Sequence, residues 1–279
     1  MKAFTAAAAA AVFMALGALT ANAGQWYIGI GGGVVFGPAL DMSGHNLDTT
    51  RYPDWDYTGF PDDKPEGYRW YYDLETDAGY VFPDEAAVGY MLYEEGEGGP
   101  RIEAAFSRRT QPLEQIFKDL TFLDESAIQP NNSGVVADFK TEIGDLTNDI
   151  AALNLYYDQP IADRFKAYLG VGAGVARVNI SDLFFRVNYI DADGVALSEY
   201  DSSQCEDFSE TAFATNILAG VDYQLTRTLL TGLKLSYAVI GEIESISDYM
   251  EHPIEDLKNT TVFSGNRQWS LAFALKYAL

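Results

Sequence analysis

The segment from Trp269 to Leu279 constrains this chain more than any other. Trp269, Leu271, Phe273, Leu275, Tyr277 and Leu279 share one parity; Ser270, Ala272, Ala274, Lys276 and Ala278 share the other. Side chains alternate across a strand, so one face is large and apolar and the other small and polar. A soluble sandwich would bury the apolar face, and its solvent face would rarely be mostly Ala and Ser. A barrel in a bilayer reverses the arrangement. Apolar side chains meet lipid, small or polar ones face the interior, and a strand of about 9–11 residues spans the membrane. Aromatics near both ends of the segment fit the two interfacial girdles.

The pattern recurs. Trp26, Ile28, Ile30, Val34 and Phe36 oppose Tyr27, Gly29, Gly31 and Gly33, and similar alternation runs through 101–109, 150–158, 165–177, 212–223 and 229–239. An eighth strand is expected between 76 and 93, best placed at Ala86 to Tyr93 because Pro83 would interrupt a longer central strand. Arg101, Glu103, Lys166, Asp222, Lys234 and Lys276 all take the inner parity. A Lys or Arg at the lipid midplane costs roughly 2–4 kcal/mol, so shared parity among these six is a facing signal. Arg108 and Arg177 join the lipid-facing set, but at strand ends, where long side chains snorkel to headgroups. The connections alternate long (37–83, 110–148, 178–210, 240–266) and short (94–99, 159–164, 224–228). The expected fold is all-β, an eight-stranded antiparallel transmembrane up-and-down barrel with long extracellular loops.

Export is read from the other end. Lys2, an apolar run and Ala21-Asn22-Ala23 form the charged, apolar, small-x-small order of a cleaved signal peptide over 1–23, leaving a barrel domain over 24–279. The apolar core Ala6–Leu19 is too short for a spanning helix, which needs roughly 20 residues. Cys205 is the only cysteine, so no intrachain disulfide forms.

The segments WYIGIGGGVVF (Trp26–Phe36), AYLGVGAGVARV (Ala167–Val178), AGVDYQL (Ala219–Leu225), LKLSYA (Leu233–Ala238) and WSLAFALKYAL (Trp269–Leu279) resemble the small outer-membrane β-barrel superfamily. Within it the chain looks like the opacity-protein and surface-antigen group, with an OmpA-like transmembrane barrel. The likeness covers the strands and leaves the loops unmatched. It implies a place in the outer membrane of a Gram-negative cell, with loops extracellular. The partners implied are the barrel assembly machinery, outer-membrane lipid and lipopolysaccharide. One departure is the last residue, Leu279, where the family's assembly signal usually ends in an aromatic.

The formal charge of −23 is unevenly placed: the four long connections carry 31 acidic against 7 basic residues, and the rest of the mature chain is balanced. Such a face argues against nucleic acid, which needs the opposite sign. It suits solubility, with loosely bound Ca²⁺ or Mg²⁺ as a further expectation, Asp191-Ala-Asp193-Gly194 having a faint calcium-loop look. No other cofactor is implied. The first long connection concentrates aromatics, among them Trp55, Tyr57, Tyr68 and Trp70, which suit recognition of an extracellular protein or glycan or belong to hairpins above the membrane. Pro112 to Phe122 places Leu113, Ile116, Phe117 and Leu120 at helical spacing, predicting a short amphipathic helix on the barrel rim.

Three function classes remain: a non-catalytic surface antigen, adhesin or structural barrel; a small passive pore; and an outer-membrane hydrolase. The expected interior charges can bridge the lumen, and the inward glycines at 29, 31, 33, 170, 172 and 174 either open it or permit tight packing. A hydrolase would have only His45 and His252 to draw on, neither in a recognisable catalytic motif. The sequence favours the first class, without catalysis.

Overall fold

The computed structural model describes residues 24–37, 40–47, 67–94, 97–122, 136–198, 201–252 and 256–279. The expected signal peptide lies outside them. Thirteen strands and no α-helix occur among the described residues: β1 (Gln25–Phe36), β2 (Leu40–Leu47), β3 (Gly67–Thr76), β4 (Gly79–Met91), β5 (Gly99–Phe122), β6 (Val136–Glu142), β7 (Asp145–Ala162), β8 (Phe165–Ile190), β9 (Ser202–Gln224), β10 (Leu229–Ile240), β11 (Ile243–Asp248), β12 (Lys258–Ser264) and β13 (Arg267–Ala278).

Eight of them close a ring. Every neighbouring pair in the order β1, β4, β5, β7, β8, β9, β10, β13 is antiparallel, and β13 returns to pair with β1. Following partners around the wall from Phe36 leads through Trp269, Tyr237, Ile217, Val171, Leu155, Ile102 and Tyr90 to Trp26, ten residues down the starting strand. That stagger tilts the strands by roughly 40° to the barrel axis, and an eight-stranded ring leaves an interior that side chains just fill.

The facing follows the alternation. On β13 the odd positions are largely exposed (Phe273, 56%) and the even ones buried (Ala272, 1%). Ile30, Leu169, Phe213, Ile217 and Leu233 extend the apolar outer belt. Aromatic pairs mark both of its edges: Trp26 with Tyr90 (4.9 Å) and Phe165 with Tyr223 (4.8 Å) at the end holding the short turns, Tyr237 with Trp269 (4.6 Å) at the other.

Three expectations need correction. The second wall strand, β4, begins at Gly79 rather than Ala86. Pro83 is accommodated because the pairing of β4 with β5 shifts between Tyr80 and Glu85, an irregularity where a missing N–H costs little. The segment 112–122 is the upper part of β5 and not a helix. It pairs with β3 from Leu113 to Phe122, with a register shift between Tyr71 and Tyr72, so a ready strand partner overrides the helical spacing. Where they are described, the long connections are themselves largely sheet. Five wall strands break, one after Phe36 and the others at 77–78, 143–144, 241–242 and 265–266, and are continued by β2, β3, β6, β11 and β12. Gly265, at φ +73°, makes one of these breaks in a conformation open to glycine.

The resumed strands build an upper tier in two sheets, β11-β12-β2-β3-β5 and β6-β8-β9. The tier has its own apolar core. Leu40, Met42, Tyr72, Leu74, Leu113 and Phe263 from the first sheet meet Ile180, Leu183 and Phe208 from the second, continuous with Leu146, Ile150, Ala176 and Ile240 inside the barrel mouth.

Among the inward glycines, Gly170 and Gly172 are packing positions. A Cβ on Gly172 would collide with the side chains of Asn154 and Asn216, and one on Gly170 with the ring of Tyr156. Gly172→Val should therefore destabilise the barrel by roughly 1–3 kcal/mol through overpacking, read as a lowered urea midpoint by tryptophan fluorescence. Leu169→Val on the outer face of the same strand should leave the midpoint almost unchanged.

Candidate functional site

The lumen holds the densest chemistry of the molecule. Among the described residues four cations (Arg101, Arg109, Lys234, Lys276) and four carboxylates (Glu85, Glu103, Asp158, Asp222) are buried, so the interior is formally neutral. Each carboxylate has a cation beside it. Arg101 reaches Asp158 at 3.0 Å (Nε to Oδ2) and Glu103 at 3.7 Å, Lys276 lies 2.5 Å from Asp222, and Lys234 pairs with Glu85.

Tyrosines from three strands and from the turn between β4 and β5 tie these ions together. Tyr27 donates to Glu103 Oε2 at 2.6 Å while accepting from Arg101 at 2.9 Å, and Tyr156 donates to Glu103 Oε1 at 2.7 Å. Tyr93 donates to Asp158. The Arg101 guanidinium also lies over the rings of Tyr156 (4.1 Å) and Tyr168 (4.9 Å), and Lys276 over Tyr168 (4.7 Å). Arg is suited to this node because its planar fork makes several directed bonds while stacking on aromatic faces.

Above the paired ions lies a layer of neutral polar side chains around the Arg109 cation. Arg109 donates to Ser236 (3.0 Å), which bonds Ser270 (2.7 Å); Gln268 donates to Gln111 (2.7 Å) and Asn266 to Asn148 (3.1 Å). Above that comes the apolar core of the upper tier. The space left is small: a cavity of about 10 Å³ among Glu85, Glu103, Lys234 and Lys276, and one of about 40 Å³ at the turn end near Tyr93 and Lys166. A single water needs about 10–15 Å³ on this measure. Three packed layers therefore fill the bore along its length.

Of the six charges singled out from sequence, Arg101, Glu103, Asp222, Lys234 and Lys276 are buried in this network, and Lys166 is half-buried at the turn end over Tyr93 (4.7 Å). Sequence reasoning did not single out Glu85, which lay just outside the assigned strand, or Asp158, Tyr27, Tyr156 and Tyr168. The signal for the latter four was their inner parity.

The suggested recognition aromatics fare differently. Trp55 and Tyr57 lie outside the described residues. Tyr68 lies in β3, opposite Asn46 on one side and Phe122 on the other. Trp70 is half-buried against the upper core, and Gly44 opposite makes room for its indole.

The histidines sit in neighbouring hairpins. His45 in β2 is in register with Arg69 and Thr260, and burial with the Arg69 charge holds its imidazole below the ordinary pKa. His252 packs at a tilt against Tyr249, ring centroids 4.4 Å apart. The Asp191 loop is a turn capped by its own side chain: Oδ1 accepts from the backbone N–H of Asp193 (2.9 Å) and Val195 (2.8 Å), and Gly194 takes φ +82°. No three metal-ligating side chains gather among the described residues.

These features define a class, an eight-stranded up-and-down barrel with an apolar belt outside and a filled polar lumen. No protein-family model and no curated protein matches the chain. Solved structures similar to it include the outer membrane protein OprG from Pseudomonas aeruginosa, at 14% identity over 91% of this chain and 97% of that one, TM-score 0.44. Neisserial surface protein A is similar at 13% identity over 90% and 96%, TM-score 0.35, and the outer membrane protease OmpT from Escherichia coli at 7% over 94% and 99%, TM-score 0.36. The architecture itself rests on this chain's own ladders.

Removing one member of the ion cluster tests its weight. Arg101→Ala leaves Glu103 and Asp158 buried without their cation and should cost about 3–5 kcal/mol, read from urea unfolding of the refolded barrel. Arg101→Lys should recover only part of that, because the fork and the stacking are lost.

Proposed function

We propose that the chain is an outer-membrane barrel with a closed bore, presenting a rigid acidic β tier at the cell surface in a binding or structural role without catalysis. The observation that carries this reading is the reversed burial, in which large apolar side chains face out and ionised ones face in. Such a surface is stable only in lipid, and a closed barrel satisfies every wall N–H and C=O there without a free edge. The three packed layers in the bore, with the two cavities between their side chains this small, argue against the passive-pore alternative.

The upper tier fits display. Its hairpins hold one another through sheet ladders and an apolar core, so surface side chains are carried on a pre-organised scaffold rather than on loose loops. Its acidity keeps neighbouring copies apart and selects for cationic or cation-bridged partners among extracellular proteins and glycans.

Planar-bilayer recording from refolded protein tests the closed bore. No steady conductance steps are expected, and regular steps would favour the pore. Cys205, an exposed thiol in the upper part of β9, reports orientation. A membrane-impermeant maleimide should label it on intact cells. Labelling that appears only after the outer membrane is permeabilised would reverse the assignment of inside and outside.

A further inference from the structure

We propose that the outward row Arg108, Asp149 and Arg177 is a recognition site for the phosphate group of a lipid in the surrounding leaflet. This rests on the membrane reading above and assigns it a specific contact. The three residues are direct neighbours across β5, β7 and β8: Arg108 faces Asp149, and Asp149 faces Arg177. They point away from the lumen, on the same parity as the belt. Each stands two residues beyond an outward apolar side chain of its strand, Phe106, Ala151 and Val175 respectively. That is the height at which acyl chains give way to headgroups, and Arg267 stands at the corresponding place beyond Trp269 on β13.

The row is built and not a chance of exposure. Asp149 holds Arg108 by two hydrogen bonds, Nε to Oδ1 at 2.6 Å and Nη2 to Oδ2 at 3.1 Å. Arg177 is fixed from one edge: its Nε donates to Ser209 Oγ at 2.9 Å, and Ser209 donates to Asn179 Oδ1 at 2.8 Å. Among the described residues that is the hydrogen bond Arg177 makes, which leaves its paired terminal nitrogens for a ligand. Two guanidinium groups against one carboxylate leave the row one positive charge.

The chemistry selects the ligand. A phosphate monoester offers several oxygens that an arginine fork binds in parallel, and guanidinium sheds water more readily than ammonium at a lipid boundary. The tier above repels anionic headgroups, with 31 acidic against 7 basic residues in the long connections. An anionic glycolipid therefore meets the protein favourably at the belt's upper edge, where the outward basic residues are. The occupant is a phosphorylated lipid held by its acyl chains against the belt and by its phosphate on Arg177 and Arg108.

The test uses the refolded full chain in detergent and native mass spectrometry with two probes, bisphosphorylated lipid A and the same lipid without phosphate. The wild type should retain the phosphorylated form preferentially, and Arg177→Gln and the double variant Arg108→Ala, Arg177→Ala should each lose about tenfold of that preference, the size of one charge-assisted contact. Arg177→Lys should lose less, and Arg186→Ala, on β8 outside the row, should match the wild type. Equal retention of both lipids overturns the site, as does an unchanged preference in a double variant that unfolds in urea like the wild type. Displacement by millimolar inorganic phosphate would overturn it in favour of a free-anion site. Wild-type protein that fails to insert into vesicles removes the membrane reading and this site together; insertion without phosphate preference removes the site alone.

Discussion

Closure of β13 onto β1 is the constraint on which everything else depends. Until these strands pair, the wall has two edges whose backbone groups have no partner, an arrangement that neither lipid nor a packed interior tolerates. Once they pair, the stagger is ten residues, which sets the tilt, the bore and which side chains meet at each height. The ion cluster draws on it. Tyr27 on β1, Arg101 and Glu103 on β5 and Tyr156 on β7 meet across the adjoining ladders, and pairing of β13 with β1 brings Lys276 into the same lining.

The interior and the exterior answer different solvents. Inside, burial of four cations and four carboxylates is tolerable because each acid has a cation beside it and tyrosines supply further bonds. Outside, the belt carries no buried charge to satisfy, and its aromatic edges grade into polar surface. The upper tier changes rule again: Met42, Leu74, Leu113 and Phe263 turn inward as in a soluble protein, while Glu114, Asp119, Glu244 and Asp248 face out. One strand such as β8 passes through both regimes, with Leu169 and Val171 exposed on the belt and Ile180 and Leu183 buried in the tier above.

Much of this was legible residue by residue. Period-two alternation depends on local geometry alone, so seven of the eight wall strands and the parity of the interior charges could be read directly. Gly79 to Glu85 was not, because Pro83 argues against a strand unless the neighbouring register is known to shift there. Nor was the fate of Pro112 to Phe122, whose helical spacing is genuine but weaker than the ladder β3 offers. Partners in the lumen were out of reach for a plainer reason: Arg109 and Ser236 bond across 127 residues of chain, and Gln111 and Gln268 across 157.

What the sequence by itself determined is the facing of seven of the eight wall strands, and with it the barrel, because a side chain's parity is a property of its own strand. What only the tertiary structure decided is how the faces combine. It joined the inward charges into a neutral, closed core. It turned four acidic connections into a two-sheet tier with a core of its own. It also aligned Arg108, Asp149 and Arg177 into one row. Register between strands is set by closure of the whole ring, and no single segment contains that information.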